Sequence, residues 1–201
     1  MIAQAYKDML KGKSVIRQLS EFATARGKEI GYENVFDYSL GNPSVSVPQE
    51  FTDIMIKMLQ EKNPMELHGY SQSLGIPSVR EKVAASLNRR FQMNYTGDHI
   101  FMTPGAAGAI AHALRCVSQP GDEILTFAPY FPEYTPYVNL TGARLKVVPA
   151  DTDGFQINFE AFDEMLTEKV AAVLINTPNN PSGMVYSPQT MKKLAEIMEE
   201  N

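Results

Sequence analysis

Cysteine is almost missing from this 201-residue chain. Cys116 stands alone, so no internal disulfide can form, and a reducing, cytoplasmic setting is expected. It lies in the apolar segment AIAHALRCV and reads as a small core residue rather than a nucleophile. Long apolar runs are missing too: no stretch is long enough to span a bilayer, and the opening MIAQAYKDMLKGKS lacks the apolar centre of a signal peptide. Positive charge is in deficit. A formal charge of −5 argues against nucleic acid or an anionic membrane as partner, because either favours a basic surface. His68, His99 and His112 show no metal-ligand spacing, and no metal is expected. KGKS at 11–14 is not a P-loop, since Lys7 stands where that motif needs glycine, and the G-x-G of a dinucleotide fingerprint is also lacking.

What is present describes a globular protein, with 44% hydrophobic and 20% charged residues and no repeat or low-complexity segment. Helical spacing runs from Ser14 to about Ile30, through Ile16, Leu19, Phe22 and Ala23. Pro48 opens another helix with Ile54, Met55, Met58 and Leu59 on one face, and these stripes are expected to be core. Residues 61–75 read as a loop, and Pro77 starts a helix continued by Val79, Val83, Leu87 and Phe91. Then the rhythm changes. Strands are expected at 99–103, 123–127, 144–150 and 170–175, with helices after 103, in 131–142, in 159–166 and in 187–200. Such alternation implies an α/β fold: a mostly parallel sheet sandwiched by helices, with a helical segment ahead of it.

Ligands of open α/β sheets collect beyond the carboxyl ends of the strands. Three segments fall there: TPGAAG (103–108), APYFPEY (128–134) and NTPNNPSG (176–183). Small residues at a helix start let an anion approach free N–H groups, so Gly105, Ala106 and Ala107 are candidates for a phosphate; an ordinary strand–helix turn is the alternative. Tyr130, Phe131 and Tyr134 are either core aromatics or a platform for a flat ligand. Tyr70 stands in a polar loop, as a surface side chain or an exposed donor.

Six segments taken together resemble the N-terminal part of a fold-type-I, pyridoxal-phosphate-dependent aminotransferase of class I/II. They are LGNP (40–43), GYSQSLGIPSVR (69–80), TPGAAGAI (103–110), PGDEIL (120–125), PYFPEY (129–134) and NTPNNPSG (176–183). The resemblance implies the large-domain fold of that family, pyridoxal 5'-phosphate as cofactor, and amino transfer between an L-amino acid, aspartate-type as a first choice, and a 2-oxo acid. Gly41 is similar to the glycine whose backbone approaches the substrate carboxylate. Tyr70 is similar to the tyrosine that reaches the cofactor phosphate of a neighbouring subunit, which implies a homodimer. Gly105, Ala106 and Ala107 match the phosphate turn, with alanine at 107 where many members carry a hydroxyl. Phe131 matches the aromatic stacked on the pyridine ring. Asn180 matches the asparagine that donates to the ring's phenolic oxygen, and a cis bond before Pro181 would fix its geometry. Residues 1–47 would belong to the small domain and substrate-site edge, and 48–201 to the cofactor-binding large domain.

The family's Schiff-base lysine lies in a Ser-x-x-Lys segment, and none occurs here; nor does the Asp-x-x-Tyr segment of the pyridinium partner. No catalytic residue is therefore assigned within the chain, and the lysine is expected beyond Asn201. The sheet is expected to be incomplete, and the 201 residues alone are expected not to transaminate. The competing readings are another reaction on the same cofactor, such as a lyase, decarboxylase or synthase, and a non-catalytic binding module.

Overall fold

The computed structural model describes residues 2, 4, 7, 15–39, 41, 45–151 and 154–200. Ser14, and Leu40, Asn42 and Pro43 of the LGNP segment, lie outside the described residues. Two compact units divide the chain, Met1–Tyr70 and Ser71–Asn201.

The first unit contains α1 (Val15–Ile30), a 3-10 turn at Tyr32–Asn34, α2 (Gln49–Glu61) and α3 (Pro64–His68). Pro48 sits immediately ahead of α2, as its fixed φ favours. The short α3 interrupts what reads as loop in the sequence. Asn63 caps it by accepting the Met65 N–H at 2.9 Å, and Pro64 takes its first position. The apolar stripes are helical as expected but are not core. Phe22 is 68% exposed, Ile54 57% and Leu59 59%. Periodicity creates an apolar face, but burial needs a covering element, which spacing alone does not supply.

The second unit contains α4 (Pro77–Phe91), a 3-10 turn at Gly97–His99, α5 (Gly105–Val117), β1 (Glu123–Phe127), α6 (Tyr134–Asn139), β2 (Arg144–Val148), α7 (Phe159–Met165), β3 (Val170–Val173) and α8 (Pro188–Glu200). Ser187 caps α8, its hydroxyl taking the Thr190 N–H at 3.0 Å. The strand expected at 99–103 does not form. His99 Nδ1 accepts the Thr96 N–H at 3.0 Å and commits that segment to a turn. No described strand takes up the ladder groups of 100–103.

The three strands are parallel in the order β2-β1-β3. Side chains of β1 alternate between two cores, as period-two geometry requires. Leu125 and Phe127 join Phe162, Tyr186 and Leu194 on one face. Ile124 joins Leu114 and Val138 on the other. Helices α7 and α8 thus cover one face, and α5 and α6 the opposite one. On α5 the buried stripe passes through Ile110 and Leu114. Cys116 is two residues, or about 200°, round from Leu114; it is exposed rather than core. Among the described residues no helix is long and apolar enough to cross a membrane, and no cluster of His, Cys, Asp and Glu could hold a metal ion.

Candidate active site

Strand order 2-1-3 means that the chain leaves β1 to one side and returns past it to the other. The carboxyl ends of β1 and β3 therefore flank a switch point, where α/β sheets form ligand crevices. The loops after these strands carry the aromatic and asparagine segments.

Gly105 opens α5 with φ +72°, a left-handed conformation that glycine adopts without a Cβ penalty. A Cβ placed there meets nothing within 4 Å, so the backbone faces open space. Thr103 braces the turn: its hydroxyl donates to the Gly105 carbonyl at 3.0 Å, and its carbonyl accepts the Gly105 N–H at 2.9 Å. Ala106 and Ala107 follow in the first helical turn, where amides have no intrahelical acceptors. No acidic residue lies in that turn. Partial positive charge, small side chains and open space fit an anionic group such as a phosphate.

Phe131 is half-buried at the end of the loop after β1. Its ring meets Tyr134 edge-on, centroids 5.8 Å apart, and Tyr134 lies nearly parallel to Tyr130 at 6.4 Å. Tyr134 is buried, and burial pushes its phenol above the ordinary tyrosine range, so it stays a neutral O–H donor. Its hydroxyl donates to Asn176 Oδ1 at 3.3 Å.

Beyond β3 the two central asparagines of NTPNNPSG do different work. Asn179 is a turn residue: its Oδ1 accepts the Ser182 N–H at 3.1 Å and the Ser182 hydroxyl at 2.9 Å, and its carbonyl accepts the Gly183 N–H at 2.7 Å. Asn180 is exposed, and among the described residues its carboxamide has no protein partner. Its backbone N–H donates to Asn176 Oδ1 at 3.2 Å. The bonds preceding Pro129, Pro178 and Pro181 are cis, the last as expected from the sequence.

The structure thus joins Phe131 to Asn180 through Tyr134 and Asn176, and sets Gly105, Ala106 and Ala107 at the head of a helix packed on the same sheet. The remaining two candidates, Gly41 and Tyr70, belong to the first unit. Both are exposed, and the Tyr70 side chain is fully so. Asn176 was missed in the sequence. Its local signal was an asparagine two residues ahead of a proline, the reach of an Asx side chain to backbone two residues on, here Nδ2 to the Pro178 carbonyl.

The sequence profile of the aminotransferase class I and II family matches residues 33–201. The chain belongs to this family. A probable aspartate/prephenate aminotransferase of Aquifex aeolicus is 31% identical over 180 residues, covering 88% of this chain and 45% of that protein. An aminotransferase structure from Eubacterium rectale superposes with a TM-score of 0.94 at 39% identity, over 100% of this chain and 50% of its own. The aspartate aminotransferase of Thermotoga maritima gives a TM-score of 0.88 at 28% identity, over 99% and 51%. The chain spans about half the length of these relatives. Family members use pyridoxal phosphate, and an open helix start without acidic residues, an aromatic ring and a free amide are chemically compatible with a group of that kind.

Proposed function

We propose that this chain is the cofactor-holding part of an aminotransferase that moves an amino group between an L-amino acid and a 2-oxo acid. The observation that carries the reading is the linkage of Phe131 to Asn180 at the rim between β1 and β3. When bound, pyridoxal phosphate supplies an electron sink at the amino acid's α carbon. The chain's own residues bind and orient it. The N–H groups of Ala106 and Ala107 hold the phosphate, with no hydroxyl at 107 to assist. Phe131 covers one face of the pyridine ring and keeps water from it. The Asn180 amide donates to the phenolic oxygen, a bond to a charged acceptor worth about 1.5–3 kcal/mol.

Gly41 offers its backbone to the substrate carboxylate, and Tyr70 reaches the phosphate held by a second copy, so the working enzyme is a homodimer. Residues 1–47 serve the small domain and substrate edge, and 48–201 the large domain. The lysine that bonds the cofactor is supplied by polypeptide outside these residues. Aspartate is the donor to test first, because the Thermotoga and Aquifex relatives carry that substrate in their names.

The test is an amino-acid panel against 2-oxo acid acceptors, using the protein extended to include its cofactor lysine. Stoichiometric conversion of aspartate to its 2-oxo acid supports the reading. Ammonia or carbon dioxide release without amino transfer would replace it with a lyase or decarboxylase. Asn180→Ala is expected to move the pH titration of the bound cofactor's absorbance upward by about one to two units. An unmoved curve would remove Asn180 from the site.

A further inference from the structure

Asn176 has three hydrogen bonds and one orientation that satisfies them. Its Oδ1 accepts from the Tyr134 hydroxyl at 3.3 Å and from the Asn180 N–H at 3.2 Å, while its Nδ2 donates to the Pro178 carbonyl at 2.6 Å. Exchanging the amide's oxygen and nitrogen would set N–H groups against the Asn180 N–H and leave the Pro178 carbonyl facing an acceptor. Asn176 therefore closes the turn 176–180 on itself, and the Tyr134 hydroxyl is the group from outside the turn that reaches the Asn176 carboxamide, whereas Tyr186 and Met184 bond Thr177 and Asn179. Tyr134 is itself held from three sides: it is 5% exposed, heads α6, and packs on the rings of Tyr130 and Phe131.

From this geometry we infer that Tyr134 is a positioning residue for Asn180: its hydroxyl locks the Asn176 carboxamide, which in turn fixes the Asn180 backbone and the aim of the free Asn180 amide. The inference rests on the reading of Asn180 as the donor to the cofactor's phenolic oxygen. It also makes the two recognition elements interdependent. The ring that backs Phe131 carries the hydroxyl that sets Asn180, so the stacking platform and the amide donor keep a fixed relation. Phe131 and Asn180 touch the cofactor; Tyr134 and Asn176 act through them.

Tyr134→Phe is the probe, because it removes the hydroxyl and leaves the ring against Phe131 and Tyr130. In the 201-residue chain without cofactor, amide hydrogen exchange at Asn180 should accelerate about three- to tenfold, the worth of one net hydrogen bond. Asn176→Ala should do the same. Asn176→Asp leaves an acceptor for the Asn180 N–H but sets a carboxylate oxygen against the Pro178 carbonyl, so it should not restore slow exchange. If Tyr134→Phe folds poorly, Asn176→Ala serves as the second variant. In the protein extended through its cofactor lysine, Tyr134→Phe should raise the pH midpoint of the cofactor's absorbance by about half a unit to one unit. It should add no further shift in an Asn180→Ala background. Unchanged Asn180 exchange in folded Tyr134→Phe overturns the positioning role. So does an unmoved titration when Asn180→Ala moves it. If Asn180→Ala itself moves nothing, the donor reading fails first, and the positioning role falls with it.

Discussion

Thr126 donates its hydroxyl to the carbonyl of Leu174 at 2.8 Å, joining the central strand to the residue that follows β3. Thr126 is 2% exposed and is a polar member of a strand otherwise apolar from 124 to 127. The bond lies one step before both rim loops, beside the Leu174 N–H that donates to the Leu125 carbonyl at 2.8 Å. It extends the pairing of β1 and β3 past the last ladder pair, Leu125 with Val173. Thr126→Val keeps the shape and leaves the Leu174 carbonyl without this partner. The expected loss is about 1–3 kcal/mol, the cost of a buried group left unsatisfied. Urea unfolding should show a lower midpoint with an unchanged slope. An unchanged midpoint would mean that the carbonyl finds another donor.

Gly105 makes a separate prediction. Alanine there meets no atom within 4 Å, so any cost is conformational rather than steric crowding. Holding an L-residue at φ +72° costs about 1–2 kcal/mol. The turn escapes that cost by swinging away from the left-handed region, which takes the amides of Ala106 and Ala107 off their aim. Pyridoxal phosphate affinity, measured by calorimetric titration, should fall about tenfold or more, corresponding to at least roughly 1.4 kcal/mol. Ala106→Gly should bind far better than Gly105→Ala. Equal affinity for the two variants would place the phosphate elsewhere.

How much of this was legible in the sequence depends on whether the signal was local or required a partner. Caps were legible: Ser187 and Pro188 begin α8, and Pro77 begins α4, because capping is decided within one helical turn. So was the alternation behind the parallel sheet. Burial was less legible. Ile54 and Leu59 have the spacing of a core face and stand exposed, and Cys116 lies in an apolar run but on the uncovered side of its helix. The segment 100–103 has strand composition without a paired neighbour. Within the candidate site, residues with a motif signature were readable. Asn176 was not, because its role depends on Tyr134, 42 residues earlier in the chain.

The face of the sheet opposite α5 depends on one aromatic pair. Phe162 is fully buried, and its ring meets Phe127 at 5.4 Å and 54°. Phe162→Ala removes a side chain that packs with Leu125, Val148 and Leu194, and the rigid strands of β1 and β2 cannot close over the gap. The expected destabilisation is about 3–5 kcal/mol, large against typical domain stability. Thermal unfolding of Phe162→Leu should lie between alanine and the parent, as a smaller cavity requires. A Phe162→Ala chain as stable as the parent would show that this cluster is not the main core.

Alkaline stability follows from two buried phenols. Tyr134 and Tyr186 are 5% and 6% exposed, and burial raises the pKa of each above its ordinary value. In the unfolded chain a tyrosine ionises near pH 10. Below that pH both states keep these protons, and the two groups leave stability unchanged. As pH rises past it, the unfolded state releases protons that the folded state still holds, so stability falls until the folded-state pKa values are passed. Each group contributes a slope of up to about 1.4 kcal/mol per pH unit over that window. Tyr134 and Tyr186 should ionise in step with unfolding when phenolate absorbance and circular dichroism are followed together. Tyr134→Phe should flatten the alkaline limb, and adding Tyr186→Phe should flatten it further. If the limb keeps its slope in the double variant, groups other than these phenols set the alkaline limit.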